Sequence, residues 1–426
     1  MKIKIITIFC CFLFFLPFTQ ALTVNIGFPL KISELILSVL IFIFIAKLIA
    51  FKKFKPLTKV SLIILMFLVW ASLSFVINSL WQYPYPLKTI PFRISAIGDS
   101  FLRLCYIVLN ILGFFISVIF LRKNPKILKY WVYGAIIASI YSWYLFLFSG
   151  FNLPYVKLFG MEEAPQSLNG FIRCGTFKEG NFLGLYLLLS AITSFYLQKK
   201  KTGIFLLLTI ATTFSTITII STIVFLVFII RKSFLKIKTL KILVIIMPFM
   251  FLACIYTVNT PYFQTYVYAK INSPSNVLNK WSFSKVDRTL TARIGYFQGI
   301  NNMFFGVGPF NYGLHYDEYN DFKTFILNNN EWSLNFFLRE NRRRIANNVY
   351  IEVFAEYGFF GFFIFIIFLI KILRLAIRNQ NDLITGGIIA ILISFNAFPS
   401  FIMLFVWVFL AIPAAFENLK LKDNND

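Results

Sequence analysis

The sequence predicts an all-α polytopic membrane protein with about twelve transmembrane helices and one large extracytoplasmic loop before the last three spans. Three observations predict this fold class. Hydrophobic residues form 59% of the 426-residue chain and charged residues only 14%, too few to cover a soluble protein of this length. Apolar stretches of span length follow one another along the chain, and basic residues gather in the connections between them.

A transmembrane helix needs about 20 apolar residues, and this length sets the predicted spans. They are 4–22, 32–50, 58–79, 98–121, 128–149, 180–197, 203–215, 217–230, 239–257, 346–370, 383–397 and 399–415. Residues 203–230 and 383–415 are each short for two full crossings, so tight or tilted hairpins are the alternative there. The first span also resembles a signal peptide, but the cleavage site near Ala21 is poor, and we interpret this span as uncleaved.

These spans divide the chain into four regions. Residues 1–256 form an N-terminal transmembrane bundle of about nine spans, 257–345 a large periplasmic or extracytoplasmic loop, 346–415 the C-terminal transmembrane helices, and 416–426 a cytoplasmic tail. With both termini in the cytoplasm, the basic runs between spans lie on the cytoplasmic side, as the positive-inside rule requires. The net charge of +24 therefore anchors loops, and no nucleic-acid partner is expected because no contiguous basic domain exists.

The large loop carries the residues best suited to chemistry. Its candidates are Arg288, Arg293, Arg342, Arg343, Arg344 and the only histidine of the chain, His315. A guanidinium stays charged, and its planar fork suits phosphate or diphosphate groups. Arginines at the outer membrane surface would therefore suit a lipid-linked diphosphate. The alternative for the run 342–344, and the stronger one there, is contact with lipid headgroups.

Other motifs carry less chemistry. His315 lies beside Asp317 and Glu318 and is a candidate general base, although a lone histidine in an acidic loop is more often a solvated surface residue. The glycine-rich stretch Gly306–Gly313 follows no predicted strand, so we predict a structural turn there. No metal or cofactor is expected, because the sequence has no nucleotide phosphate loop and no zinc-type spacing. The few ionisable groups in the spans disfavour an ion-coupled transporter.

Three stretches, taken in their order and placement, resemble a known family. They are Arg173-x-Gly175-Thr176-Phe177 with Asn181, then Arg293 to Tyr296 leading into Gly306-Val-Gly308-Pro309, then Asn347-Asn348-Val349-Tyr350 continuing through Glu356 and Gly358 to Gly361. Together they resemble the O-antigen polymerase and O-antigen ligase superfamily of bacterial envelope enzymes. The ligase branch typically has a histidine immediately before the asparagine at 348, where this chain has Asn347. This difference favours the polymerase branch.

The resemblance implies a metal-independent membrane glycosyltransferase that joins oligosaccharide repeat units on the outer face of the bacterial cytoplasmic (inner) membrane. Donor and acceptor would both be glycans on undecaprenyl diphosphate, within the membrane lipids. The product would be O-antigen of lipopolysaccharide, capsule or a related surface polysaccharide. The acceptor hydroxyl would attack the anomeric carbon of the donor, and lipid diphosphate would leave. A chain-length regulator and a flippase are candidate further partners.

Within this reaction, Arg173 and Arg293 are predicted to be catalytic, because they would stabilise the charge that develops on the leaving diphosphate. Arg288, with Arg342–Arg344, is predicted to bind the diphosphate. Glu356 or Glu352 is predicted to position or deprotonate the acceptor hydroxyl, although helix capping or packing also explains both residues and does so more simply.

Two other functions stay open on the sequence. An O-antigen ligase would transfer the finished polymer to a lipid A-core or another acceptor. A lipid-linked oligosaccharide flippase or exporter would move the substrate across the membrane. The long loop and the lack of internal repeats are unlike an alternating-access carrier and count against this third function.

Overall fold

The structure is a computed structural model that describes residues 4–25, 29–51, 58–81, 95–161, 165–234, 259–260, 264, 268–274, 276–277, 282–321 and 344–417. Most of these residues are helical. In chain order the α-helices, named α1 to α13, are Ile5–Phe15, Ile32–Phe51, Lys59–Trp81, Ala96–Lys123, Lys129–Gly150, Gly180–Tyr196, Lys200–Thr209, Thr216–Phe234, Ala269–Asn272, Phe283–Asn301, Val349–Arg378, Asp382–Ser394 and Leu404–Ala415. Short 3₁₀ helices are Pro125–Leu128, Ile210–Thr213, Asp317–Tyr319 and Phe395–Ala397.

Two small antiparallel hairpins interrupt the helices. Strands β1 (Thr23–Asn25) and β2 (Pro29–Lys31) pair with Thr23 opposite Lys31. Strands β3 (Ser167–Leu168) and β4 (Phe171–Ile172) pair with Ser167 opposite Ile172. The second hairpin lies directly before Arg173, so it sets where that side chain leaves the backbone.

Four helices in the described part of the chain are long and apolar enough to cross a membrane: Lys59–Leu80, Ala96–Lys123, Pro125–Gly150 and Val349–Arg378. Shorter apolar helices are Ile5–Phe15, Gly180–Tyr196, Thr216–Arg231, Asp382–Ala397 and Leu404–Ala415. The predicted helical fold with membrane-spanning helices is confirmed in this outline. The count of twelve spans and the layout of the loop stay predictions, and the predicted span 239–257 lies outside the described residues.

Close helix packing and buried hydrogen bonds join the bundle. A Cβ on Gly134 of α5 would lie 2.2 Å from the carbonyl oxygen of Phe14, so only glycine allows this approach to the end of α1. Trp131 stacks parallel on Tyr186 with ring centroids 5.7 Å apart, and its indole N–H donates to Ser190 Oγ at 2.6 Å. Such contacts matter in a bilayer, where lipid tails are as apolar as the side chains and burial alone favours no helix pair.

The predicted hairpin at 203–230 consists of two helices joined by a sharp break. Helix α7 passes into the 3₁₀ helix Ile210–Thr213, Phe214 then takes a left-handed conformation with φ +45°, and α8 begins at Thr216. The hydroxyl of Thr213 donates to the carbonyl oxygen of Ile210, a bond that competes with regular helix continuation. The break leaves the carbonyl group of Phe214 available to the candidate site.

Helix α11 is broken at Gly358, where φ +67° and ψ −171° lie outside helical geometry. The carbonyl groups just before such a break lose their helical partners and need other donors. Residues from α3 and from the segment 302–308 satisfy them. The bonds are Val307 N to Ala355 O at 2.9 Å, Gly308 N to Glu356 O at 3.0 Å, Trp70 Nε1 to Tyr357 O at 2.9 Å and, in the opposite direction, Phe359 N to Met303 O at 2.7 Å.

Glycines make this contact possible. Gly306 has φ +66°, and a Cβ there would lie 2.4 Å from the carbonyl carbon of Glu356. A Cβ on Gly358 would lie 2.5 Å from the carbonyl oxygen of Phe304. The predicted structural turn in Gly306–Gly313 is therefore confirmed, and it packs its backbone against the break in α11. This contact holds α10 beside α11, and these two helices carry much of the candidate site.

Candidate active site

Arg173 is held at the end of the β3–β4 hairpin by one glutamine. Its backbone N–H donates to Gln166 O at 3.0 Å, and its Nε donates to Gln166 Oε1 at 3.1 Å. The same Oε1 accepts from Gly180 N at 2.9 Å, which ties Arg173 to the start of α6. A further guanidinium nitrogen, Nη1, donates to Phe214 O at 3.3 Å. The side chain is half-buried, and burial lowers the pKa of its guanidinium.

Arg288, in the second turn of α10, lies within electrostatic range of Arg173. Burial lowers the pKa of Arg288, while Asp287 and Glu179 act in the opposite direction. Glu179, the residue before α6, interacts with both arginines, and burial raises the pKa of its carboxyl group. The structure therefore brings two of the predicted arginines, from segments far apart in sequence, within electrostatic range of each other and of one carboxyl group.

A second polar group adjoins this cluster at the start of α11. Asn347 Nδ2 donates to Asp287 Oδ2 at 2.9 Å, and Asn347 itself has a left-handed φ of +52°. The next residue, Asn348, caps α11 by accepting from Tyr350 N and Ile351 N. Burial raises the pKa of Asp287, and the charges of Arg344 and Arg288 oppose this change.

Of the predicted run 342–344, Arg344 is described, and Arg342 and Arg343 lie outside the described residues. The guanidinium of Arg344 stacks over the ring of Tyr316 at 5.5 Å and interacts electrostatically with Asp287. Arg344 thus belongs to the same group as Asp287 and Arg288. We call Arg173, Glu179, Asp287, Arg288, Arg344 and Asn347 the arginine–aspartate cluster.

Arg293 lies outside this cluster. It is five residues after Arg288 on α10, a spacing that turns its side chain about 140° around the helix. Its Nη2 and Nε lie 2.7 and 2.8 Å from Asp321 Oδ2, and its guanidinium lies 5.4 Å from the ring centre of Phe297. The side chain is 44% exposed. The predicted catalytic role of Arg293 stays a prediction.

His315 is buried, with 8% of its surface exposed, so the interpretation of a solvated surface histidine is wrong. Its Nδ1 lies 2.9 Å from Glu318 Oε2. Two residues of the same segment are held by hydrogen bonds: Asn311 Oδ1 accepts from Ser100 Oγ, and the hydroxyl of Tyr312 donates to Thr291 O. The proposed role of His315 as a base stays a prediction.

Glu356 is 2% exposed and lies two residues before the break in α11 at Gly358. Its carbonyl oxygen accepts from Gly308 N and from Ser74 Oγ, at 3.0 and 3.1 Å. Its side chain interacts electrostatically with Arg103 of α4. The structure thus supports the packing interpretation of the backbone of this residue and leaves the predicted catalytic role of its carboxyl group as a prediction.

Three charged residues were missed by the sequence analysis: Arg103, Asp287 and Glu179. Arg103, in the second turn of a predicted span, pairs with Glu352 and donates to Ser400 Oγ at 2.9 Å. An arginine inside an apolar span is itself a functional signal that could have revealed it. Asp287 and Glu179 carried no such signal, because an acid beside a basic residue is ordinary in a polar loop.

One family model matches part of this chain. Residues 174–366 match the family model described as O-antigen ligase, a range that includes Asp287, Arg288, Arg344, Asn347 and Glu356. None of the curated proteins matches the chain significantly. Members of the matched family are multi-pass membrane enzymes of glycosyltransferase type that act on lipid-linked glycans in surface polysaccharide synthesis. The match confirms the resemblance of this chain to the O-antigen ligase and polymerase superfamily, and it does not separate the two branches.

Proposed function

We propose that this protein polymerises oligosaccharide repeat units carried on undecaprenyl diphosphate, at the outer face of the bacterial cytoplasmic membrane. The observation that carries the proposal is the meeting of Arg173 and Arg288 beside Arg344, three cations from separate segments grouped next to apolar helices. A lipid-linked diphosphate has the matching chemistry: two phosphates for the guanidinium groups and a long apolar tail for the bundle.

The reaction would transfer a glycan from one diphosphate to a sugar hydroxyl. As the bond between the anomeric carbon and the diphosphate oxygen breaks, negative charge grows on the leaving group. Arg173 and Arg288 are half-buried, so water screens their charges less than it would at the surface. The guanidinium of Arg173 is already held by hydrogen bonds to Gln166 and Phe214, so it would stabilise that charge without reorganisation during the reaction.

The proposal gives secondary roles to Arg293 and Glu356. Arg293 is exposed enough to reach a substrate, although its pairing with Asp321 must loosen first. Glu356 is buried and interacts electrostatically with Arg103. Neither residue is needed for the grouping of Arg173, Arg288 and Arg344 on which the proposal depends.

The polymerase branch is favoured over the ligase branch by Asn347. An amide at this position hydrogen-bonds Asp287 and cannot serve as a general base, whereas a histidine there could. The ligase is the second candidate, because the matched family model carries that description. In both cases the termini are proposed to be cytoplasmic and residues 257–345 extracytoplasmic.

A deletion of the gene, read out by gel analysis of envelope glycans, separates these functions. Loss of the polymer ladder with a single repeat unit retained on the acceptor supports the polymerase. Bare acceptor with polymer still attached to undecaprenyl diphosphate supports the ligase. Lipid-linked units trapped on the cytoplasmic side would indicate a flippase and would overturn the proposal.

A further inference from the structure

Asp287 has the surroundings of a reactive carboxyl group. It lies one residue before Arg288 on α10 and is half-buried, so it is shielded from bulk water but reachable from the cluster. Asn347 donates to Oδ2 at 2.9 Å and fixes the orientation of the side chain. A carboxylate has about four acceptor positions on its two oxygens, so this single bond leaves room for a substrate hydroxyl.

The neighbours of Asp287 come from three elements. Arg288 is on the same helix, Arg344 precedes α11, and Tyr312 and Tyr316 come from the segment before the 3₁₀ helix Asp317–Tyr319. Burial raises the pKa of Asp287, and the charges of Arg344 and Arg288 partly oppose this change. A hydroxyl group that approaches Asp287 would therefore stand beside the guanidinium of Arg288, which in the proposed function holds the donor diphosphate.

We propose that Asp287 is the general base that activates the acceptor sugar hydroxyl, an inference that rests on the proposed function. The proton of the hydroxyl passes to a carboxylate oxygen of Asp287 while the hydroxyl oxygen forms a bond to the anomeric carbon of the donor. The bond from that carbon to the diphosphate oxygen breaks, and its electron pair leaves with the polyprenyl diphosphate. Arg173 and Arg288 hold the departing anion, and Asp287 later releases its proton to water.

This assignment gives Asn347 a positioning role. An imidazole at 347 would be able to take the proton itself, but the amide of this chain can only orient the carboxyl group that is bonded to it. The raised pKa of Asp287 supports the assignment, because a more basic carboxylate accepts a proton more readily. Asp287 therefore supplies the base that the amide at 347 does not.

The test compares Asp287→Asn with Asp382→Asn in the full-length protein. The first variant keeps the shape of the side chain and a carbonyl oxygen for the bond from Asn347. The second removes the same charge from the pair with Arg231 at the far end of α11, where Arg231 Nη2 and Asp382 Oδ1 are 2.9 Å apart. Two quantities are measured. The affinity for undecaprenyl diphosphate is measured on the purified protein, and the rate of glycan extension is measured in permeable membrane vesicles that contain the native lipid-linked repeat unit.

We expect Asp287→Asn to bind undecaprenyl diphosphate at least as well as wild type and to lose about 100-fold or more in extension rate, the usual size of a general-base contribution. The extension rates of the wild-type protein and of Asp382→Asn should both fall as the pH is lowered through the pKa of Asp287, while the residual rate of Asp287→Asn should not fall.

Equal extension rates of Asp287→Asn and the wild-type protein overturn the base assignment and leave the proposed function intact. Loss of lipid binding in Asp287→Asn also overturns it. If the wild-type protein neither binds undecaprenyl diphosphate nor extends glycan, the proposed function itself fails.

Discussion

Arg103 of α4 and Glu352 of α11 form a salt bridge between two apolar helices, with only 13% and 5% of their side chains exposed. Arg103 also lies 5.5 and 5.8 Å from the ring centres of Phe310 and Phe401 and donates to Ser400 Oγ. One arginine thus joins α4, the start of α11 and the segment before α13. Removal of one partner of such a pair leaves an uncompensated buried charge.

Glu352→Leu should therefore destabilise the protein by about 3–5 kcal/mol, because the buried guanidinium of Arg103 would lose its salt-bridge partner and keep only the weaker electrostatic interaction with Glu356. Thermal unfolding of the detergent-solubilised protein measures the change. The double variant Arg103→Met with Glu352→Leu should recover much of the lost stability, since it removes both charges. An unchanged unfolding temperature in Glu352→Leu would show that the pair contributes little.

Arg288→Ala should abolish binding of undecaprenyl diphosphate and chain extension, whereas Arg293→Ala should have a smaller effect. Arg288 lies in the cluster with Arg173, while Arg293 is on another face of α10 in a half-exposed pair with Asp321, and such pairs contribute about 0–1 kcal/mol. Arg288→Lys should also be defective, because an ammonium lacks the fork that binds two oxygens. Glycan ladders and lipid binding measured side by side check the order of severity, and a more severe defect in Arg293→Ala than in Arg288→Ala would favour the predicted catalytic role of Arg293.

Glu179→Gln should bind undecaprenyl diphosphate more tightly, because the carboxylate of Glu179 offsets part of the positive charge of the two arginines. If this electrostatic effect is about 1 kcal/mol, the affinity should rise roughly five-fold. Burial raises the pKa of Glu179, so acidification through that pKa neutralises the carboxyl group and should strengthen binding by wild-type protein in the same direction. Binding isotherms at several pH values test this. The pH effect should be reduced in Glu179→Gln, and weaker binding by this variant would contradict the electrostatic interpretation.

Gly306→Ala should prevent stable assembly, because the added Cβ would lie 2.4 Å from the backbone of Glu356 and φ is +66°. Gly170→Ala is the matched control: its φ is +84°, but no atom lies within 4 Å of an added Cβ. The control should cost only the backbone strain, about 1–2 kcal/mol. The amount of folded protein recovered from membranes distinguishes the two, and similar losses would show that strain rather than contact is decisive.

The sequence predicted the main elements because apolar length and basic connections are local signals. Local signals of this kind predicted the first spans, the region of α11 and the turn at Gly306. The proximity of Arg173 and Arg288 could be expected only from the family resemblance, since more than a hundred residues separate them in the printed sequence. The rotation of α10 about its axis decides which of its arginines faces the cluster. The bond from Asn347 to Asp287 depends on a left-handed backbone conformation at Asn347 that no residue type dictates.

The contact between residues 302–308 and the break in α11 has an evolutionary consequence. Most of its bonds join main-chain atoms, which are the same whatever side chain a residue carries. Selection can therefore fix a few small residues at the points of closest approach and let neighbouring positions drift. Lineages with this architecture would then keep a sparse signature while losing overall identity.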